Sequence, residues 1–250
     1  MECVFITAIG VGGATITGAC IGFFVKNVSH KANDMILSFA AGIMLAAAVI
    51  GLVLPAVELV NKERIWIPVL GILAGAGFLN LMDLLTPHLH KLSGIDAEKY
   101  ANSHRMNKAI LFLLAIAIHN FPEGMAAGVG FGNSDVEAAF TVAIGIALQN
   151  IPEGVVTVTP LVMSGISKKR AFVLAAVTGL IEVAGTFIGY YAAAVSVHLL
   201  PLALAFAGGT MLYIISDEMI PETHSHGYEG IATYSLLVGF SVMLVMNAWI

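Results

Sequence analysis

Eight long apolar stretches follow one another along this chain, separated by short polar breaks and without strand-like alternation. They run from Val4 to Val25, Met35 to Leu54, Ile67 to Leu85, Ala109 to Val129, Ala138 to Val158, Ala171 to Ala194, Leu202 to Met219 and Ile231 to Trp249. A bilayer core about 30 Å thick needs about 20 apolar residues per helix. The stretches are too long for barrel strands, and helices satisfy their own backbone in lipid. The pattern predicts an all-α membrane protein of eight transmembrane helices, one polytopic domain over residues 1–250. The seventh span is the least regular, because it ends in acidic residues. The longest connection, 86–108, is polar but too short for a domain.

Composition agrees: 58% of residues are apolar, 11% are charged and the mean hydropathy is +0.92. A soluble domain carries about 25% charge. With a net charge of -5 and 11 basic residues spread thinly, no basic face exists to neutralise phosphates, which excludes nucleic acid as a partner. The two cysteines, Cys3 and Cys20, share the first span and would lie roughly 25 Å apart on a helix, so they cannot pair with each other. The first span follows Met1-Glu2 instead of a basic stretch, and its length reads as a retained helix.

Eight spans put both termini on one side. Lys26, Lys31, Lys91, Lys99, Arg105, Lys108, Lys168, Lys169 and Arg170 follow the odd-numbered spans; only Lys62 and Arg64 lie opposite. Positive residues stay cytoplasmic, so both termini are expected outside.

The sequence repeats itself twice. At an offset of 167, Leu37-Ser-Phe-Ala-Ala-Gly-Ile-Met-Leu45 aligns with Leu204-Ala-Phe-Ala-Gly-Gly-Thr-Met-Leu212 at six of nine positions, and Ile21-Gly-Phe-Phe24 with Ile188-Gly-Tyr-Tyr191. Spans one and two thus echo six and seven, and an interval of five spans makes the copies enter from opposite faces. This is an inverted repeat of the kind secondary transporters use. At an offset of 30, Ala117-Ile-His119-Asn120-Phe-Pro122-Glu123-Gly124 aligns with Ala147-Leu-Gln149-Asn150-Ile-Pro152-Glu153-Gly154.

These last segments carry the chemistry. His119 is ten residues into its span, Gln149 and Glu182 eleven into theirs, which places all three roughly 15 Å deep, near the midplane. On a helix His119 shares a face with Glu123 and Gln149 with Glu153, while Asn120 and Asn150 stand three residues before the glutamates. Pro122 and Pro152 break the bonds to the carbonyls of Ile118 and Leu148. An ionised glutamate in hydrocarbon costs roughly 2.5 to 3.5 kcal/mol. No Lys or Arg shares the depth of Glu123, Glu153 and Glu182. Protons or metal cations must meet that charge, and His with carboxylates and amide oxygens suits Zn²⁺, Fe²⁺ or Mn²⁺.

The paired His-Asn-x-Pro-Glu-Gly and Gln-Asn-x-Pro-Glu-Gly segments resemble the fourth and fifth helices of the ZIP (zinc- and iron-regulated transporter-like) metal transporters, of the short prokaryotic type. The resemblance covers essentially the whole chain. It implies a 3+2+3 helix order, a binuclear site, elevator-like movement and uptake of divalent metals, zinc first and Fe, Mn, Co or Cd besides, toward the cytoplasm. Carried over by position, His119, Glu123, Gln149 and Glu153 form one metal site; Asn120, Glu123, Asn150, Glu153 and Glu182 form its neighbour. Gln149 stands where the family often has His, and the histidine-rich loop is reduced to His88, His90 and His104. The expected ligand is the transported ion, with no cofactor; the expected setting is the plasma (inner) membrane, with a homodimer left open.

Other polar residues carry less. Asp217, Glu218, Glu222, His224 and His226 cluster where the seventh span meets the cytoplasm, as an exit site or a solvated helix end. Asp83, His88 and His90 are further pathway candidates. Glu58 and Glu63 could draw cations to the entrance or form a plain hydrated loop. His30 and His198 have no convergent partner in sequence and read as surface residues. Nothing resembles a phosphate loop, and the His-Glu-x-x-His spacing of an intramembrane metalloprotease is missing; a metal-selective channel is the nearer rival to a carrier.

Overall fold

The structure is a computed structural model that describes residues 1–24, 29–85, 120–132, 136–163, 166–195 and 199–249. Helix α1 is Glu2–Phe24, and α2 is His30–Ala46, which passes through a π-helical segment, Ala47–Val53, into α3, Leu54–Glu58. Then come α4, Trp66–Leu85; α5, residues 120–129; α6, Val136–Met163; and α7, Lys168–Val195. Helix α8, Leu200–Ile214, passes through a second π segment, Ile215–Met219, into α9, Ile220–Thr223, and α10 is Glu229–Trp249. Seven of the described helical stretches are long and apolar enough to cross a membrane. The first half of the predicted fourth span, with His119, lies outside the described residues.

Both π segments precede a proline, at Pro55 and Pro221. Proline lacks the N–H of a regular turn and its ring crowds the carbonyl four residues back; the wider π turn relieves both. The sequence echo keeps step here: Gly42 and Gly209 are 167 residues apart and the two prolines 166. The longer π segment, seven residues against five, lies in the copy with the extra residue.

Helix packing forms two groups. In one, α1 lies against α6 and α7; in the other, α4 packs on α8 and α10 on α2. Helix α5 joins the first group, since a side chain on Gly124 or Gly128 would strike the α7 backbone at Glu182 or Thr186. The main contact between the groups is α2 against α6.

Glycine lets the helices touch backbone to backbone, as membrane interfaces favour, and the contacts follow the echoes. An added Cβ on Gly12 would lie 2.3 Å from the carbonyl oxygen of Gly179, and one on Gly179 would lie 2.6 Å from that of Gly12. Those glycines are 167 residues apart. Gly18 meets Ile151 and Gly154, just as Gly185 meets Phe121 and Gly124. Gly22 meets Val155 as Gly189 meets Met125. Farther out, Gly239 lies on Phe39 and Ile43, and Gly75 on Phe206 and Thr210.

Candidate functional site

The glycine of each Pro-Glu-Gly motif has a geometric reason. A Cβ on Gly124 would sit 2.2 Å from the carbonyl oxygen of Glu182, and one on Gly154 would sit 2.4 Å from that of Thr15. Close approach brings α5, α6, α7 and α1 together around one polar centre. There Glu182, Gln149 and Asn150 are fully buried, Glu123 and Asn120 nearly so, and Glu153 is half-buried. Glu123, Glu153 and Glu182 lie near enough to feel one another's charge. The asparagines of the two motifs therefore meet on Glu182.

Glu182 is the best satisfied of the three. Thr15 Oγ1 lies 2.7 Å from Glu182 Oε1 and 2.8 Å from Oε2. The Nδ2 of Asn120 donates to Oε1, and that of Asn150 to Oε2 at 2.8 Å. Hydrogen bonds to a charged group contribute about 1.5–3 kcal/mol each, so three donors offset a desolvation cost of roughly 2.5 to 3.5 kcal/mol.

The rest of the centre is short of partners among the described residues. Gln149 lies beside Glu123, yet both its amide atoms, Glu123 Oε2 and Asn150 Oδ1 lack a hydrogen-bond partner among the described residues. A buried acceptor without a donor costs about 1–3 kcal/mol, more when charged. A cation reverses that cost for several oxygens at once. Among the described residues no three His, Cys, Asp or Glu side chains form a ready metal cage. The expected donor set also draws on amide oxygens and on His119, outside the described residues.

Thr15 went unnoticed in the sequence, where it looks like any small residue of an apolar span. One signal could have found it: the 167-residue offset carries Glu182 onto Thr15.

The weaker candidates divide. His224 is occupied locally, with Nδ1 2.9 Å from the Ile220 carbonyl and Nε2 3.1 Å from Thr233 Oγ1. Asp217 is exposed, while Glu218 and Glu222 are half-buried. His226 turns away from this group: its Nδ1 lies 3.0 Å from Oδ1 of the buried Asp34. His30 is exposed but not isolated, because its ring stacks on that of His226 at 4.5 Å. The expectation that His30 has no partner is thus corrected; the pairing depends on a loop nearly two hundred positions away. Glu58 and Glu63 are exposed. The side chain of Asp83, together with His88, His90, His104 and His198, lies outside the described residues. Cys3 and Cys20 are both free thiols.

Long apolar helices closed around buried acids and amides define a polytopic membrane protein built on an acidic polar centre. A family model described as ZIP zinc transporter matches residues 86–247. The chain is 40% identical over 242 residues to the zinc transporter GufA of Myxococcus xanthus, a match covering 94% of each chain. It is 34% identical over 250 residues to the zinc transporter ZIPB of Bordetella bronchiseptica, covering 94% of this chain and 77% of that one. With human zinc transporter ZIP11 it shares 31% identity over 320 residues, covering 94% and 93%. The chain belongs to the ZIP family and is a transporter, not an enzyme.

Proposed function

We propose that this protein is a carrier of Zn²⁺, accepting also Fe²⁺, Mn²⁺, Co²⁺ and Cd²⁺, that moves the ion toward the cytoplasm through a binuclear site at the bilayer midplane. One ion is held by His119, Glu123, Gln149 and Glu153, and its neighbour by Asn120, Glu123, Asn150, Glu153 and Glu182. The observation that carries this reading is a largely buried cluster of acids and amides in which, among the described residues, Glu123 Oε2, Gln149 Oε1 and Asn150 Oδ1 go without donors. Charge in lipid and missing donors are both answered by a dication.

A carrier is favoured over an open channel because Glu182, Gln149 and Asn150 have no exposure at all. An open pore would wet them. Alternation of access then follows from movement of α1, α5, α6 and α7 against α2, α4, α8 and α10, two groups joined mainly where α2 meets α6. In this reading the chain is one domain of eight spans in 3+2+3 order, with its halves inverted and both termini outside. Contacts between equivalent residues, Gly12 with Gly179 and Thr15 with Glu182, support that order. The ion leaves past Asp83, His88, Asp217, Glu218, Glu222 and His224, and the setting is the plasma membrane.

The test is flux into liposomes loaded with a zinc-sensitive dye. Wild-type protein is expected to show saturable Zn²⁺ and Cd²⁺ entry, which Glu123→Ala or Glu153→Ala abolishes. Equal flux from these variants would remove the site; linear, non-saturating flux would favour the channel.

A further inference from the structure

We propose that Thr15, on a helix that supplies no ion ligand, is the positioning residue that fixes Glu182 and, through Glu182, aims Asn150 at the ion; this rests on the reading of Glu182 and Asn150 as part of the second site. Thr15 Oγ1 sits astride the carboxylate, 2.7 and 2.8 Å from its two oxygens. Its one hydroxyl proton serves either oxygen. Each oxygen therefore has a share of Thr15 and one asparagine Nδ2, Asn120 on Oε1 and Asn150 on Oε2.

This arrangement has a consequence for Asn150. An amide has two donor hydrogens on nitrogen and an acceptor on oxygen. With Nδ2 bound to Glu182, Oδ1 is turned elsewhere, and it is buried without a partner among the described residues. An ion at that oxygen completes the residue without breaking its bond to Glu182. If an ion also takes one oxygen of Glu182, the Thr15 proton passes to the other, so the carboxylate keeps an anchor throughout.

Thr15 is itself enclosed. It is 4% exposed, and its carbonyl is pressed on Gly154, as the carbonyl of Glu182 is pressed on Gly124. The two residues, 167 apart, hold equivalent places on the two Pro-Glu-Gly motifs. One place bears a carboxylate and the other a hydroxyl, so the pair is complementary where two acids would repel.

The experiment compares Thr15→Val, which keeps the shape and removes the hydroxyl, with Thr15→Ser, which keeps the hydroxyl, by Zn²⁺ titration calorimetry of the purified protein. Thr15→Val is expected to weaken the second binding event about tenfold or more and to leave the first unchanged, with Thr15→Ser within about threefold of wild type. In a Glu182→Gln background Thr15→Val is expected to add little, since residues acting through one another are not additive. Wild-type binding by Thr15→Val, equal loss in Thr15→Ser, or additive loss with Glu182→Gln would each overturn the proposal. Glu123→Ala separates the two readings: if it too binds like wild type, the metal site itself is wrong, and the role of Thr15 falls with it.

Discussion

The carbonyl of Gly12 and the carbonyl of Gly179 each occupy the space where the other residue would carry a side chain. Helices α1 and α7 cross there, and three residues further along each helix stand Thr15 and Glu182. The spacing of the site is therefore set by a contact that contains no ligand.

Gly12→Ala is expected to destabilise the protein by about 1–3 kcal/mol, the usual cost of overpacking, because backbone blocks the new methyl at 2.3 Å. Gly13→Ala is the control: nothing lies within 4 Å of its Cβ position. Thermal unfolding in detergent should show a lower midpoint for the first and none for the second.

Gly124→Ala and Gly154→Ala should each reduce zinc flux severely although neither replaces a proposed ligand. The added methyl would lie 2.2 Å from the Glu182 carbonyl in one case and 2.4 Å from that of Thr15 in the other, so a helix must retreat and widen the site. Dye-loaded liposomes report the loss, and flux at wild-type level would refute the tight-crossing argument.

Gln149→His should tighten Zn²⁺ binding by about tenfold, equivalent to about 1.4 kcal/mol. Gln149 is fully buried beside Glu123, so an imidazole nitrogen placed there gains a ligand role next to an acid. Unchanged affinity by calorimetry would count against Gln149 as a ligand.

His226→Ala should cost about 1–3 kcal/mol by leaving the buried Asp34 carboxylate without its donor. The Oδ2 of Asp34 already has no partner among the described residues. Adding Asp34→Asn should recover part of the loss, since no charge is then stranded. Unfolding midpoints of the single and double variants decide it.

Much of this protein is legible along the chain because the signals are local. Apolar runs point to long helices, and α7 spans Lys168–Val195 where the pattern predicts Ala171 to Ala194. Pairing His119 with Glu123 and Gln149 with Glu153 needs only helical spacing, and the echo at 167 residues is visible by sliding the sequence on itself. The π segments were not legible, because they depend on how a proline is accommodated and not on hydropathy.

The sequence by itself determined that the chain is a helical membrane protein with acids on paired motifs, for hydropathy and spacing are properties of neighbouring residues. Tertiary structure alone decided that Asn120 and Asn150 turn their nitrogens to Glu182, that Thr15 holds that carboxylate from another helix, and that His226 finds Asp34. Each of these joins residues on different helices, and only the crossing of those helices, allowed by glycines at the contact, brings them within a hydrogen bond.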